Sequence, residues 1–242
     1  MNDTAVETTG QRFFVYLVES PSALDLYVGR GEGNLLHQAI QLNGINATLR
    51  LAINLEAFTA ALHVGLIEAM NASPGALPIL HISAHGFSNG IQLSSGEILQ
   101  WADLRNLLVP LNEIFNGCLI VCMSTCEGYS GSRMAMVQDG EKHPFYAIIG
   151  NSDKPTWPET AIAFATLYHL IAKGESIPNA VNAMRIASGS QSFFETRATE
   201  SQKGYLEYIA GLDTQGAKEE LEQQVESSAH SENSKWSVKG EC

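Results

Sequence analysis

Apolar positions along the chain fall into short runs bounded by turn residues, the pattern of buried strands alternating with amphipathic helices. Residues 13–18 form the first run. A glycine-rich loop follows (Gly29, Gly31, Gly33), then apolar residues at helical spacing: Leu35, Leu36, Ile40 and Leu42. A second strand fits residues 47–53. Residues 55–70 repeat apolar side chains at helical spacing (Phe58, Leu62, Leu66, Ile67), and Ser73-Pro74-Gly75 closes that helix. The order β-α-β-α-β builds a parallel sheet covered by helices. Further along, residues 91–99 suit a small hairpin around Ser94-Ser95-Gly96, 101–108 a helix, 117–124 a strand and 146–149 another. Helices are expected at 157–174 and 177–188, the first entered through Thr156-Trp157-Pro158-Glu159.

Two of these runs end on reactive side chains. Pro78-Ile79-Leu80-His81-Ile82-Ser83-Ala84 leads into His85-Gly86, and Cys118-Leu119-Ile120-Val121-Cys122-Met123-Ser124-Thr125 leads into Cys126-Glu127-Gly128. In an open parallel sheet the carboxyl ends of neighbouring strands converge on one crevice, so an imidazole and a thiol would meet there. Glycine after His85 allows a sharp turn and brings a backbone amide close to a ligand. Cys126 leaves its strand through a glycine-containing turn into an expected helix, whose N-terminus would lower the thiol pKa.

Composition narrows the function. The chain has 242 residues, 45% of them hydrophobic, enough for one sizeable core. A formal charge of −12 without a Lys/Arg cluster opposes binding to nucleic acid. The polar start, residues 1–10, lacks a secretion-signal layout and is expected to be flexible. No apolar stretch approaches the roughly 20 residues of a membrane helix, so a cytoplasmic protein is expected. Residues 214–242, rich in Glu, Gln, Ser and Lys, are expected to form an acidic disordered tail behind one domain at 11–213. Four cysteines are too few to staple such a fold. Cys118, Cys122 and Cys126, four apart on one strand segment, would lie about 13 Å from one another, beyond the roughly 7 Å Cα limit for a disulfide.

His-Gly after one apolar strand and Ser-x-Cys-Glu after the next resemble the caspase-like cysteine peptidases, most closely their prokaryotic CHAT branch. Met123-Ser124-Thr125-Cys126-Glu127-Gly128 is similar to that branch's Leu-Ser-Ala-Cys-Glu-Thr pattern, and Gly90-Ile91-Gln92-Leu93-Ser94-Ser95-Gly96-Glu97-Ile98-Leu99 to its hairpin. The likeness is good over residues 80–131 and elsewhere extends only to strand–helix order. It implies a three-layer α-β-α caspase-like fold with a mostly parallel sheet and a small hairpin after the His-Gly strand. It further implies Cys126 as nucleophile, His85 as general base or proton shuttle, and the amides of Gly86 and Cys126 as the oxyanion hole. Neither metal nor cofactor is expected. Either a carboxylate or a backbone carbonyl could orient His85, and the sequence leaves both open.

The resemblance also implies a protein substrate and regulated proteolysis, as in a bacterial antiphage or cell-death system, with a separate activator since no sensor domain is recognisable. Ser124, two before the nucleophile, is not the acid that relatives cleaving after basic residues commonly carry. Asp153 and Trp157 fall where the family builds its substrate cleft, though a turn residue and a packing aromatic would read the same way. His81 reads as core packing: on a strand it would lie about 13 Å from His85, too far to share a metal. A phosphatase loop is disfavoured because Arg133 follows Cys126 after six residues rather than five and Glu127 would repel phosphate. The loop Gly29-Arg30-Gly31-Glu32-Gly33 lacks the Lys-Ser/Thr of a phosphate loop and reads as a flexible connection. The alternative from another class is a non-catalytic caspase-like scaffold that binds a partner protein.

Overall fold

The computed structural model describes residues 13–138 and 142–211. The expected N-terminal segment at 1–10 and the tail at 214–242 lie outside them. The elements, in order, are β1 (Phe13–Ser20), α1 (Ala23–Tyr27), α2 (Gly33–Leu42), β2 (Ala47–Leu51), α3 (Leu55–Ala60), a π-helical turn (Ala61–Gly65) and α4 (Leu66–Ala72). There follow β3 (Leu77–Phe87), β4 (Gly90–Gln92), β5 (Ile98–Gln100), α5 (Trp101–Ile114), β6 (Ile120–Ser124) and a 3₁₀ segment (Gly128–Ala135). The last are β7 (Ala147–Asn151), α6 (Trp157–Ala172), α7 (Ile177–Ser188), β8 (Phe193–Arg197) and α8 (Ala198–Gly211). The chain divides into two compact units, one through Gln202 and one from Lys203. In the second, Lys203 and Glu207 form an ion pair of 3.8 Å one helical turn apart.

The main sheet runs β2-β1-β3-β6-β7-β8; its first five strands are parallel and β8 is antiparallel to β7. A small antiparallel extension, β4 and β5, grows from the far end of β3. Every residue of β1 is buried, as a central parallel strand requires. Its side chains alternate between two cores. Phe14, Tyr16 and Val18 pack with Phe58, Leu62, Leu66 and Leu108 on one face; Phe13, Val15 and Leu17 pack with Leu36, Ile40, Phe164 and Leu167 on the other. Both faces being covered gives the expected three layers.

Several local details differ from expectation. The 55–70 helix contains a π-helical turn, where Gly65 leaves room for the Tyr16 hydroxyl that a side chain would strike. The helix from Trp101 continues through Pro110 to Ile114, because Leu104, Leu108 and Leu111 bury one continuous face. Cys118 precedes β6 instead of lying on that strand, and it is partly exposed. The glycine-rich loop is not a flexible connection either. Gly33 donates its amide to Glu19 Oε1 at 2.8 Å, Glu32 is buried, and a side chain on Gly31 would come within 2.7 Å of Glu19 Oε1.

Candidate active site

β3 and β6 are hydrogen-bonded neighbours with Ser83 opposite Ser124. His85 and Cys126 each stand two residues beyond that pair, so both leave the same edge of the sheet. They line one cleft of about 910 Å³. Its walls are the loop Gly29–Glu32 with Leu35, the ends of β3 and β6, and Pro155 to Ala165 from the start of α6. Crevices at the carboxyl ends of parallel strands are where such sheets bind ligands.

His85 is half exposed, and its Nε2 lies 3.1 Å from Asp25 Oδ2. Asp25 also accepts the Ser22 hydroxyl at 2.6 Å and donates its own amide to Ser22 Oγ at 3.0 Å. The Ser22 bond chiefly, and His85 after it, holds the Asp25 carboxyl below the usual carboxylate range despite partial burial. Asp25 is thus a carboxylate in contact with His85, one of the two kinds of partner the sequence left open. Ser22 with Asp25 three residues on is the signature of a capped helix start, and it marks α1, which sequence periodicity missed. With Nε2 engaged, Nδ1 is the ring nitrogen left for a reacting group.

Cys126 sits in a tight turn. Glu127 follows with φ 53°, and its amide donates to the Asp153 carbonyl at 2.7 Å. A side chain on Gly128 would come within 2.6 Å of Thr125 Oγ1, and one on Gly150 of β7 within 2.7 Å of the Tyr129 amide. Only glycine lets these backbones approach so closely. The segment after Cys126 is a 3₁₀ helix, Gly128–Ala135, entered through the left-handed Glu127, so a helix does begin beside the turn that holds the sulfur. The thiol pKa is nonetheless not lowered. Burial pushes it up, Glu127 and Asp153 add to the rise, and Lys154 opposes it.

Gly86 lies close against the same turn: a side chain there would strike the Cys126 carbonyl oxygen and come within 2.7 Å of Thr125 Cβ. Trp157 lines the cleft, its ring centroid 6.2 Å from that of His85 and nearly perpendicular to it. Asp153 is outside the lining. It is exposed, its amide donates to Asn151 Oδ1 at 2.7 Å, and its Oδ1 accepts the Lys154 amide at 2.8 Å, so it shapes the loop that buttresses Cys126.

Beneath the cleft lies a buried polar cluster. His81, fully buried, points Nδ1 at the Tyr168 hydroxyl (2.7 Å) and Nε2 at Glu32 Oε1 (3.3 Å). Burial raises the Glu19 carboxyl above its usual range, against the Gly33 amide that lowers it, and drives the Cys122 thiol up to about 12. His81 is a core residue, as expected, and Cys122 is buried as well.

A mostly parallel, doubly covered sheet, with histidine and cysteine at adjacent strand ends and a hairpin between them, defines the caspase-like cysteine peptidase fold. No protein-family model matches this chain, and no curated protein matches it in sequence. Among solved structures it is similar to a secreted C11 cysteine protease from Bacteroides thetaiotaomicron in complex with an irreversible peptide inhibitor. That match has 9% identity and a TM-score of 0.51, and covers 78% of this chain and 67% of that one. A second match is the Arg-specific cysteine proteinase gingipain R, at 11% identity and a TM-score of 0.43, covering 74% of this chain. The chain spans 44% of the gingipain's length.

Proposed function

We propose that this chain is a cysteine endopeptidase of the caspase-like type, with Cys126 as nucleophile and His85 as proton carrier. The observation that carries this reading is that the two residues line one cleft at the ends of adjacent strands, with His85 held by Asp25. Because burial disfavours the free thiolate, the proton leaves Cys126 as sulfur attacks the scissile carbonyl, and His85 Nδ1 receives it. The amides of Gly86 and Cys126 donate to the oxygen that becomes negative. The C–N bond breaks as His85 returns the proton to the departing amine, and water then releases the acyl group from sulfur. Trp157 packs beside the imidazole and borders the substrate. Asp153 serves indirectly, through the Glu127 amide.

The motif around Cys126 supports the CHAT branch, with residues 11–213 as the working domain. A cytoplasmic role cleaving a partner protein under a separate activator, as in antiphage defence, follows from the same analogy. The test is cleavage of a peptide library together with labelling by an irreversible peptidyl electrophile. Cys126→Ala and His85→Ala should each abolish both while leaving circular dichroism unchanged. Equal labelling of Cys126 and the partly exposed Cys118, insensitive to His85→Ala, would favour the scaffold reading instead.

A further inference from the structure

We infer that the cleft beside Cys126 selects an uncharged, apolar side chain, of the leucine or methionine class, on the residue before the scissile bond. This deepens the peptidase reading and rests on it. The cleft that holds Cys126 and His85 has an extensive apolar lining: Leu35 from α2, Ala84 from β3, Pro155, and Trp157, Ile162 and Ala165 from α6, with Trp157 against the His85 ring. Leu35 and Ile162 remain 56% and 49% exposed in the free chain. Two large aliphatic side chains left in water in the lining of one cleft gain by being covered.

The charges nearby point the same way. A lysine or arginine side chain would need a carboxylate to pair with, because an unpaired charge taken out of water is costly. No carboxylate among the lining residues is open to the cleft. Glu32 lines it, but its side chain is wholly closed to solvent, with Oε1 on His81 and Oε2 without a partner among the described residues; Glu19 is buried against the Gly33 amide, and Glu127, outside the lining, lies 3.8 Å from Lys154. Asp153 stands outside the lining, and Ser124, two before the nucleophile, is 2% exposed with its hydroxyl shut away from solvent. The charged residue exposed along the wall is a cation, Arg30, which repels a basic substrate. It does not select an acidic one, since a solvated surface charge adds little to binding against an apolar wall of this extent.

The experiment uses the full chain and four irreversible peptidyl acyloxymethyl ketones, identical except for Leu, Met, Arg or Asp at the position next to the reactive ketone. The rate of Cys126 modification is followed by intact mass and peptide mapping. The Leu and Met probes should react at least tenfold faster than Arg or Asp, and Arg30→Glu should narrow the gap between Leu and Arg. Fastest labelling by the Arg probe, or by the Asp probe, would overturn the inference and leave the peptidase reading standing, as would equal rates for all four. If iodoacetamide modifies Cys126 but none of the four probes does, the peptidase reading fails and takes the inference with it.

Discussion

Replacing Gly86 by alanine tests the arrangement on which the proposed chemistry depends. The added methyl would sit 2.7 Å from both Thr125 Cβ and Thr125 Oγ1, and nearer still to the Cys126 carbonyl oxygen. Carbon atoms in ordinary contact stand about 3.5–4.0 Å apart, so the end of β3 and the Cys126 turn must separate by about 1 Å. Thr125 is 3% exposed and cannot swing aside, so the backbone takes the shift. Overpacking of this kind costs about 1–3 kcal/mol, which for a domain of this size lowers the melting temperature by roughly 2–12 °C and leaves it folded. A misplacement of about 1 Å at reacting groups costs on the order of 10²-fold in rate. Circular dichroism melting and kcat/KM on a peptide substrate measure the two effects. The control is Gly96→Ala on the neighbouring hairpin, where φ is +90° and nothing lies within 4 Å; it should lose stability without losing catalysis. A Gly86→Ala enzyme with wild-type kcat/KM and melting temperature would refute the close approach of the two strand ends.

Asp25→Ala removes the partner of His85. Because the imidazole is 44% exposed, the bond is worth about 1 kcal/mol, and kcat/KM should fall about fivefold; an unchanged value would remove Asp25 from the site. The raised thiol pKa predicts that iodoacetamide labelling of Cys126 keeps accelerating as pH climbs past the ordinary thiol range. Lys154 is the charge that favours the thiolate, so Lys154→Glu should slow labelling at pH 8; faster labelling would reverse the assigned electrostatics. His81→Ala leaves Glu32 and Tyr168 buried without their shared partner and should cost about 3–5 kcal/mol, read as a fall of roughly 6–20 °C in melting temperature. A shift under 2 °C would mean the cluster is not coupled to folding.

The strands that carry the site were legible because a central parallel strand buries both faces and so reads as a continuous apolar run. β3 and β6 satisfy that rule, and the residues ending them follow from chain order alone. β8 does not: it is an edge strand, only Phe193 of its five residues is buried, and Phe193-Phe194-Glu195-Thr196-Arg197 carries no clear period. Asp25 was hidden for another reason. It lies 60 residues from His85, on a five-residue helix too short to show periodicity, and only the Ser22-to-Asp25 spacing hinted at it. The glycine-rich loop misled because glycines that relieve crowding look like glycines that permit motion. Gly31 and Gly33 are of the first kind, since Glu19 occupies the space a side chain would need. The thiol's electrostatics were misjudged because burial, which chain order does not reveal, outweighs what a helix start after the strand contributes.

The buried polar cluster explains how a cleft bounded by a loop can be shaped before any ligand arrives. Glu19, at the end of β1, accepts a loop amide through Gly33 and so fixes the wall that carries Arg30 and Glu32. His81 of β3 then joins Glu32 to Tyr168 of α6, whose first turns form another part of the lining. The loop wall and the helix wall are therefore tied through one fully buried imidazole on the strand that also carries His85. Hydrophobic packing alone would hold α6 against the sheet but would not fix a glycine-rich loop, which has few side chains to bury. The hydrogen bond that the Gly33 amide donates to the buried Glu19 carboxylate supplies that restraint, at the cost of taking an ionisable group out of water. A cleft preorganised in this way spends less binding free energy on ordering when a ligand docks; under the proposed chemistry, that leaves more to align a scissile carbonyl with Cys126.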